Sequence, residues 1–317
     1  MNRRDLLIRS SAAAAALSLF RFPLGWADDG QRRKLLFFTK SSGFEHSSIK
    51  RKKGADGKEE LSHAEKVVTD LGAKHNFDVT CTKDGTIFTA EKLAPFDAFL
   101  FYTTGDLTKP GTDKNPPMTP EGKAAFLDAI KNGKGFAGTH SASDTFHSPG
   151  NENHSSARFK QDGDGVDPYV AMLGAEFIVH GAQQKAKMKV VDSKFPGMAE
   201  AKEGFEMMEE WYSLKNHAKN LHVLLVNETD GMKGNMYARP PFPATWAREH
   251  GKGRVFYTSM GHREEVWTNP VFQSIFLGGL SWAFGNVKAD VPPNLDTVTP
   301  QYAETGKEDP PKPPKAK

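Results

Sequence analysis

The chain has 317 residues, 38% of them hydrophobic, with 22 phenylalanines and a single cysteine. That content supports a sound core, excludes wholesale disorder and internal disulfides, and holds no apolar run near the roughly 20 residues of a bilayer-spanning helix. The net charge is +3, yet residues 1–27 alone set Arg3, Arg4, Arg9 and Arg21 against Asp5, so the remainder is near neutral and lacks a field that would draw nucleic acid or an anionic membrane.

Arg3-Arg4 stand ahead of Leu6-Leu7, Ser11 to Phe20 is a short apolar core, and Gly25-Trp26-Ala27 resembles a small-x-small cleavage site. Residues 1–27 are therefore expected to be a removable twin-arginine-type signal, with the bacterial periplasm as destination. Residues 28–286 follow as one α/β domain. Lys34 to Thr39 suits an inner parallel strand and leads into the small polar loop Ser41 to His46. Leu61, Ala64, Val67, Val68 and Leu71 recur at helical spacing, with Gly72 as a stop. Strands are expected at Phe77–Thr82 and at Phe96–Thr103, the second ending in Thr104-Gly105-Asp106. Thr119-Pro120 opens a helix that closes at Asn132-Gly133, and the stretch from Gly135 to Gly138 is a fourth strand. Pro149 to Asp167 reads as a long surface loop. Further strands are expected at Ala175–His180, Lys187–Val191, Glu206–Glu209, Val223–Val226, Ala244–Arg248 and Arg254–Ser259. Pro270 to Phe284 forms a last helix, and residues 287–317, rich in proline and lysine, are expected to be a disordered tail.

Strand–helix alternation implies a mostly parallel central sheet, whose ligands sit outside the carboxyl ends of the strands. That rule places His46, Gly105 and His140 along one edge. Neither a phosphate loop nor GxGxxG occurs, so no nucleotide cofactor is expected. Gly138-Thr139-His140-Ser141-Ala142 has the form of a nucleophile elbow with an imidazole at its apex, suited to proton transfer, to metal ligation, or to satisfying the turn's own backbone. His262 also follows a strand, and on an extended segment Glu264 would share its cleft; a salt-bridged surface loop is the alternative. His180 closes another strand. Glu209-Glu210-Trp211-Tyr212 joins carboxylates to aromatic faces, as sugar sites do, and equally fits a strand end packed on the core.

Lys34 to Phe284 resembles the ThuA-like (trehalose-utilisation) family. The resemblance rests on Thr39 to His46, Tyr102 to Asp106, Gly138 to Phe146, Leu173 to Phe177 with His180, Glu209 to Tyr212, Thr245 to Thr258, and Gly261 to Glu264. It implies a class I glutamine amidotransferase-like fold, a flavodoxin-like three-layer α/β sandwich. Those enzymes use a Cys-His-Glu triad. Here the late pair is His262 and Glu264, but His140 occupies the cysteine's place, so glutaminase activity is not expected. The family's association with sugar utilisation implies a carbohydrate ligand. Gly43, Phe44, Gly105, Asp106, His180, Glu210, Trp211, Tyr212 and Arg263 are the matching candidates for substrate contact.

The leading expectation is an exported enzyme acting on a keto-sugar or glycoside. His46, His140 and His262 would hold a divalent metal, zinc favoured, and His140, His262, Asp144 and Glu264 would move protons. The alternative is a non-catalytic carbohydrate-binding protein stacking sugar on Trp211 and Tyr212. A homo-oligomer is compatible with either.

Overall fold

Strand β1 (Arg33–Phe38) sends Leu35 and Phe37 into one apolar core and Leu36 and Phe38 into another. All four side chains are fully buried, the pattern of a strand covered on both faces. The computed structural model describes residues 32–151 and 156–309, so the signal expected at 1–27 lies outside the described residues.

After β1 come β2 (Phe77–Thr82), β3 (Ala98–Phe101), β4 (Gly135–Thr139), β5 (Glu176–His180), β6 (Gln184–Val190) and β7 (Gly204–Glu209). They are followed by β8 (Tyr212–Lys215), β9 (His222–Glu228), β10 (Phe242–His250) and β11 (Gly253–Thr258). Nine strands form one sheet in the order β2-β1-β3-β4-β11-β10-β9-β6-β7. From β2 to β11 every pairing is parallel, and from β11 to β7 every pairing is antiparallel. β5 and β8 form a separate antiparallel ribbon. The parallel half has the flavodoxin-like order, whose switch point lies between β1 and β3.

Helices α1 (His63–Lys74) and α5 (Pro270–Phe284) feed one core; α2 (Pro120–Lys131) and α3 (Pro168–Leu173) feed the other, which makes three layers. α4 is the single turn Glu264–Trp267. Ser62 and Glu65 close a capping box at the start of α1. Thr119 caps α2 with Pro120 in its first turn, and Asn269 caps α5. Among the described residues no helix is long and apolar enough to cross a membrane.

Two expectations change. Gly72 does not stop α1, which runs to Lys74; the residue is small because a Cβ there would meet the Phe77 carbonyl oxygen at 2.7 Å. Residues 287–309 are packed rather than loose. Leu295 and Tyr302 are buried in the second core, Asn294 Oδ1 accepts from the Val223 amide at 2.7 Å, and Arg239 donates to the Tyr302 carbonyl at 2.9 Å. Val287, Ala289, Val291 and Val298 pack against the cores as well, so a segment of polar average composition is anchored along its length.

Candidate active site

The loops after β1 and β3 meet at the switch point, where Ser42 N donates to Thr104 O at 2.8 Å. Gly105 has φ +73° and would drive a Cβ to 2.7 Å from Gly43 N, so only glycine lets these loops touch. Gly105 N in turn donates to Asp144 O at 2.7 Å, tying the β3 loop to the turn after β4. That turn is an elbow. His140 sits at φ +45°, a left-handed conformation costly for a side chain with a Cβ. Tyr257 Oη donates to the His140 carbonyl at 2.7 Å and Tyr169 Oη to the Ala142 carbonyl at 2.9 Å, which hold the strained segment.

Four side chains converge below this elbow: His46 after β1, His140 after β4, His262 after β11 and Glu210 after β7. Their potential ligand atoms all lie within 4.8 Å of one another. His262 Nδ1 is 3.2 Å from His140 Nε2 and 3.1 Å from Glu210 Oε2; His140 Nε2 is 3.6 Å from the same oxygen. His140 Nδ1 faces the Ser259 carbonyl at 3.2 Å, an acceptor, so its proton belongs there and Nε2 presents a lone pair to the cluster. His46 Nε2 lies 3.5 Å from Tyr212 Oη, while its buried Nδ1 has no hydrogen-bond partner.

Burial keeps His46 well below the ordinary imidazole range, helped by repulsion from His140 and His262. Burial also lowers His140, against the pull of Glu210. Both rings are therefore neutral near pH 7. Glu210 behaves oppositely: burial would raise it, but the imidazoles around it, His140, His262 and His180, hold its carboxyl well below the usual range. Neutral imidazoles and a firm carboxylate are the donors zinc takes. Four ligands about 2.1 Å from a tetrahedral ion stand roughly 3.4 Å apart; the His140, His262 and Glu210 atoms already have that spacing, and no pair in the set exceeds 4.8 Å. The orphaned nitrogen of His46 fits that assignment.

Residues 34–283 match the family described as trehalose utilisation, ThuA. The chain belongs to the ThuA family. Its membership connects it with carbohydrate metabolism. Two solved structures share the fold. A ThuA-like protein from Bacteroides uniformis is 18% identical with a TM-score of 0.56, over 80% of this chain and 91% of that one. Another, from Parabacteroides merdae, is 17% identical with a TM-score of 0.53, over 88% and 98%. No curated protein matches the chain.

In this ThuA-family chain His46, Glu210 and His262 line a cleft of about 950 Å³, while His140 is wholly buried and outside its lining. Gly43, Phe44, Gly105, Asp106, Asp144, His180 and Tyr212 also line it. His180 adds its Nδ1 at 3.4 Å from Glu210 Oε1. Three candidates lie elsewhere. Glu264 is exposed at the start of α4, because the chain turns helical after Arg263 instead of staying extended; it borders a different, smaller pocket beside His63. Trp211 is wholly buried and donates its indole N–H to Gln184 O, so it offers no stacking face. Arg263 is turned to Glu265 and Gln183, outside the cleft lining.

Sequence reasoning missed a charged wall. His147 bridges Asp144 (2.8 Å from Nε2) and the buried Glu176 (3.1 Å from Nδ1), and Arg158 packs against the same ring. Glu176 is fixed in turn by Ser148 and Asn216. Lys123 pairs with Asp167 at 2.7 Å on the cleft margin. The only available signal was His147 itself, three residues after Asp144 at the end of the elbow motif.

Proposed function

We propose that this cleft is the active site of an exported enzyme acting on a carbohydrate, with a keto-sugar or keto-glycoside as substrate. His46, His140, Glu210 and His262 would hold a divalent metal, zinc favoured. The observation that carries the reading is the convergence of three imidazoles and one carboxylate on a cleft floor, with the His46 Nδ1 nitrogen buried and unpartnered. When bound, the ion supplies Lewis acidity towards a sugar carbonyl. The chain's own residues supply the rest. Asp144 lines the cleft with its carboxylate held by His147, ready to accept a sugar hydroxyl or take the proton beside a carbonyl. Phe146, Phe177 and Tyr212 give apolar faces for the C–H surfaces of a ring. Glutaminase chemistry is not proposed: the sole cysteine, Cys81, lies in β2, and burial pushes its thiol up to about 12.

Elemental analysis of the purified protein should find about one zinc per chain, and His140→Ala should lower turnover of 3-keto-glycosides by at least about 100-fold. A metal-free wild type together with full activity in His140→Ala would remove the scheme. Phe44, 68% exposed at the cleft, favours one other reading, a sugar-binding protein without turnover. In that case Phe44→Ala would weaken saccharide binding more than His140→Ala does. The periplasmic location rests on residues 1–27, and Arg3→Lys with Arg4→Lys should retain the protein in the cytoplasm on cell fractionation.

A further inference from the structure

Glu209 and Glu210 are neighbours with opposite orientations. Glu209 is the last residue of β7, and strand alternation turns its side chain away from the cluster that Glu210 enters. The Glu209 side chain is wholly buried, and among the described residues no ion pair reaches it. Its carboxylate is instead surrounded by backbone. Oε2 accepts from the amides of Gly261 at 2.7 Å and His262 at 3.0 Å; Oε1 accepts from those of Glu210 at 3.0 Å and Arg263 at 3.3 Å. Three consecutive N–H groups converge because Gly261 adopts φ +118°, which folds residues 261–263 into an anion-binding nest. A nest of this kind ordinarily takes an anion from outside; here the chain provides its own.

The far side of the loop is held as well. Trp267 Nε1 donates to the Gly261 carbonyl at 2.8 Å, and Ser48 Oγ to the His262 carbonyl at 3.2 Å. Both backbone polar groups of His262 are therefore committed, and its ring is met at Nε2 by the Gln183 side chain at 2.9 Å. We infer that Glu209 is a positioning residue that seats His262 and Glu210 together, joining the antiparallel half of the sheet to the loop that leaves the parallel half. This rests on reading the four-residue cluster as the working centre. Glu209 touches none of the ring nitrogens; it acts through the backbone of two residues that do the ligating.

The test compares Glu209→Gln and Glu209→Asp with wild type and with Val266→Ala, which removes buried volume next to the loop without touching the nest. Zn²⁺ affinity is read by competition with a chromophoric chelator, and amide hydrogen exchange is read at 261–263 and at Glu210. Glutamine keeps the shape but aims an NH₂ at backbone donors. Glu209→Gln should therefore weaken Zn²⁺ binding about 10–100-fold and speed exchange at 261–263 and at the Glu210 amide, while Glu209→Asp, which keeps the carboxyl group, recovers part of both. Val266→Ala should lower the melting temperature and leave Zn²⁺ affinity unchanged. Wild-type exchange at 261–263 in Glu209→Gln overturns the inference. So does a Zn²⁺ loss no larger than that of Val266→Ala. If wild type takes up no zinc, the metal reading fails on its own, and local exchange alone decides for or against Glu209. If Glu209→Gln does not fold, Glu209→Asp is judged by the same two readouts.

Discussion

His147 is half-buried and His217 buried, and their surroundings drive them in opposite directions. At His147 burial lowers the imidazole, but the bonds to Asp144 and Glu176 overcome it and raise the ring above its ordinary value, even beside Arg158. A raised value means that the stabilisation is complete below about pH 6.5 and disappears as pH rises through the folded value. His147→Gln should therefore cost more melting temperature at pH 6 than at pH 9, and an equal loss at both would contradict the arrangement. At His217 burial pushes the ring well below the ordinary range, next to Arg239 and between Trp246 and Tyr302, with neither nitrogen partnered. The unfolded chain then takes up a proton below about pH 6.5 that the folded chain refuses, so stability falls on acidification. His217→Phe should narrow the melting gap between pH 7.5 and pH 5.5. Three cluster residues, His46, His140 and His262, were legible because each follows a hydrophobic strand. Glu210 was legible only as a sugar-contacting carboxylate. Its place beside the imidazoles depends on which of two adjacent glutamates ends β7, and an alternating pattern one residue out of step would reverse them.

At the level of elements, the strands of the parallel half and the long helices were readable from apolar runs and caps. Phe77–Thr82 and Pro270–Phe284 were expected at the bounds they have. The failures have physical causes. Glu264 was assigned to an extended segment, but Arg263 is the last extended residue before a helical turn. β8 went unseen because its residues, Tyr212 to Lys215, pair with β5 in a ribbon far away in sequence. The C-terminal segment was dismissed on composition although Leu295 is buried at 1% exposure. Leu295→Ala should cost about 2–5 kcal/mol by thermal or chemical unfolding; a variant as stable as wild type would mean that the segment contributes nothing to the fold.

For the molecule as a whole, the mixed sheet divides the labour. Parallel strands supply three imidazoles from their carboxyl ends. The antiparallel extension supplies Glu210, and the β5–β8 ribbon lays Tyr212 with its ring centre 4.2 Å from that of His140. If the cluster binds zinc as proposed, free ion at 100 times its dissociation constant should stabilise the fold by about 2.7 kcal/mol. His262→Ala should abolish that gain, as read by melting with and without the metal.

The elbow, the nest and the cluster draw on residues from Thr39 to Trp267, and this spread sets the order in which the protein can mature. Contacts between segments so distant in the chain are paid for in loop entropy before they are rewarded, which makes them late events in folding. A nascent chain that has made β1 to β4 holds two of the four cluster residues and has neither Glu210 nor the loop that seats His262. The complete site is thus denied to incomplete chains, and occupancy of the centre would report that synthesis and folding have both reached the far side of β11.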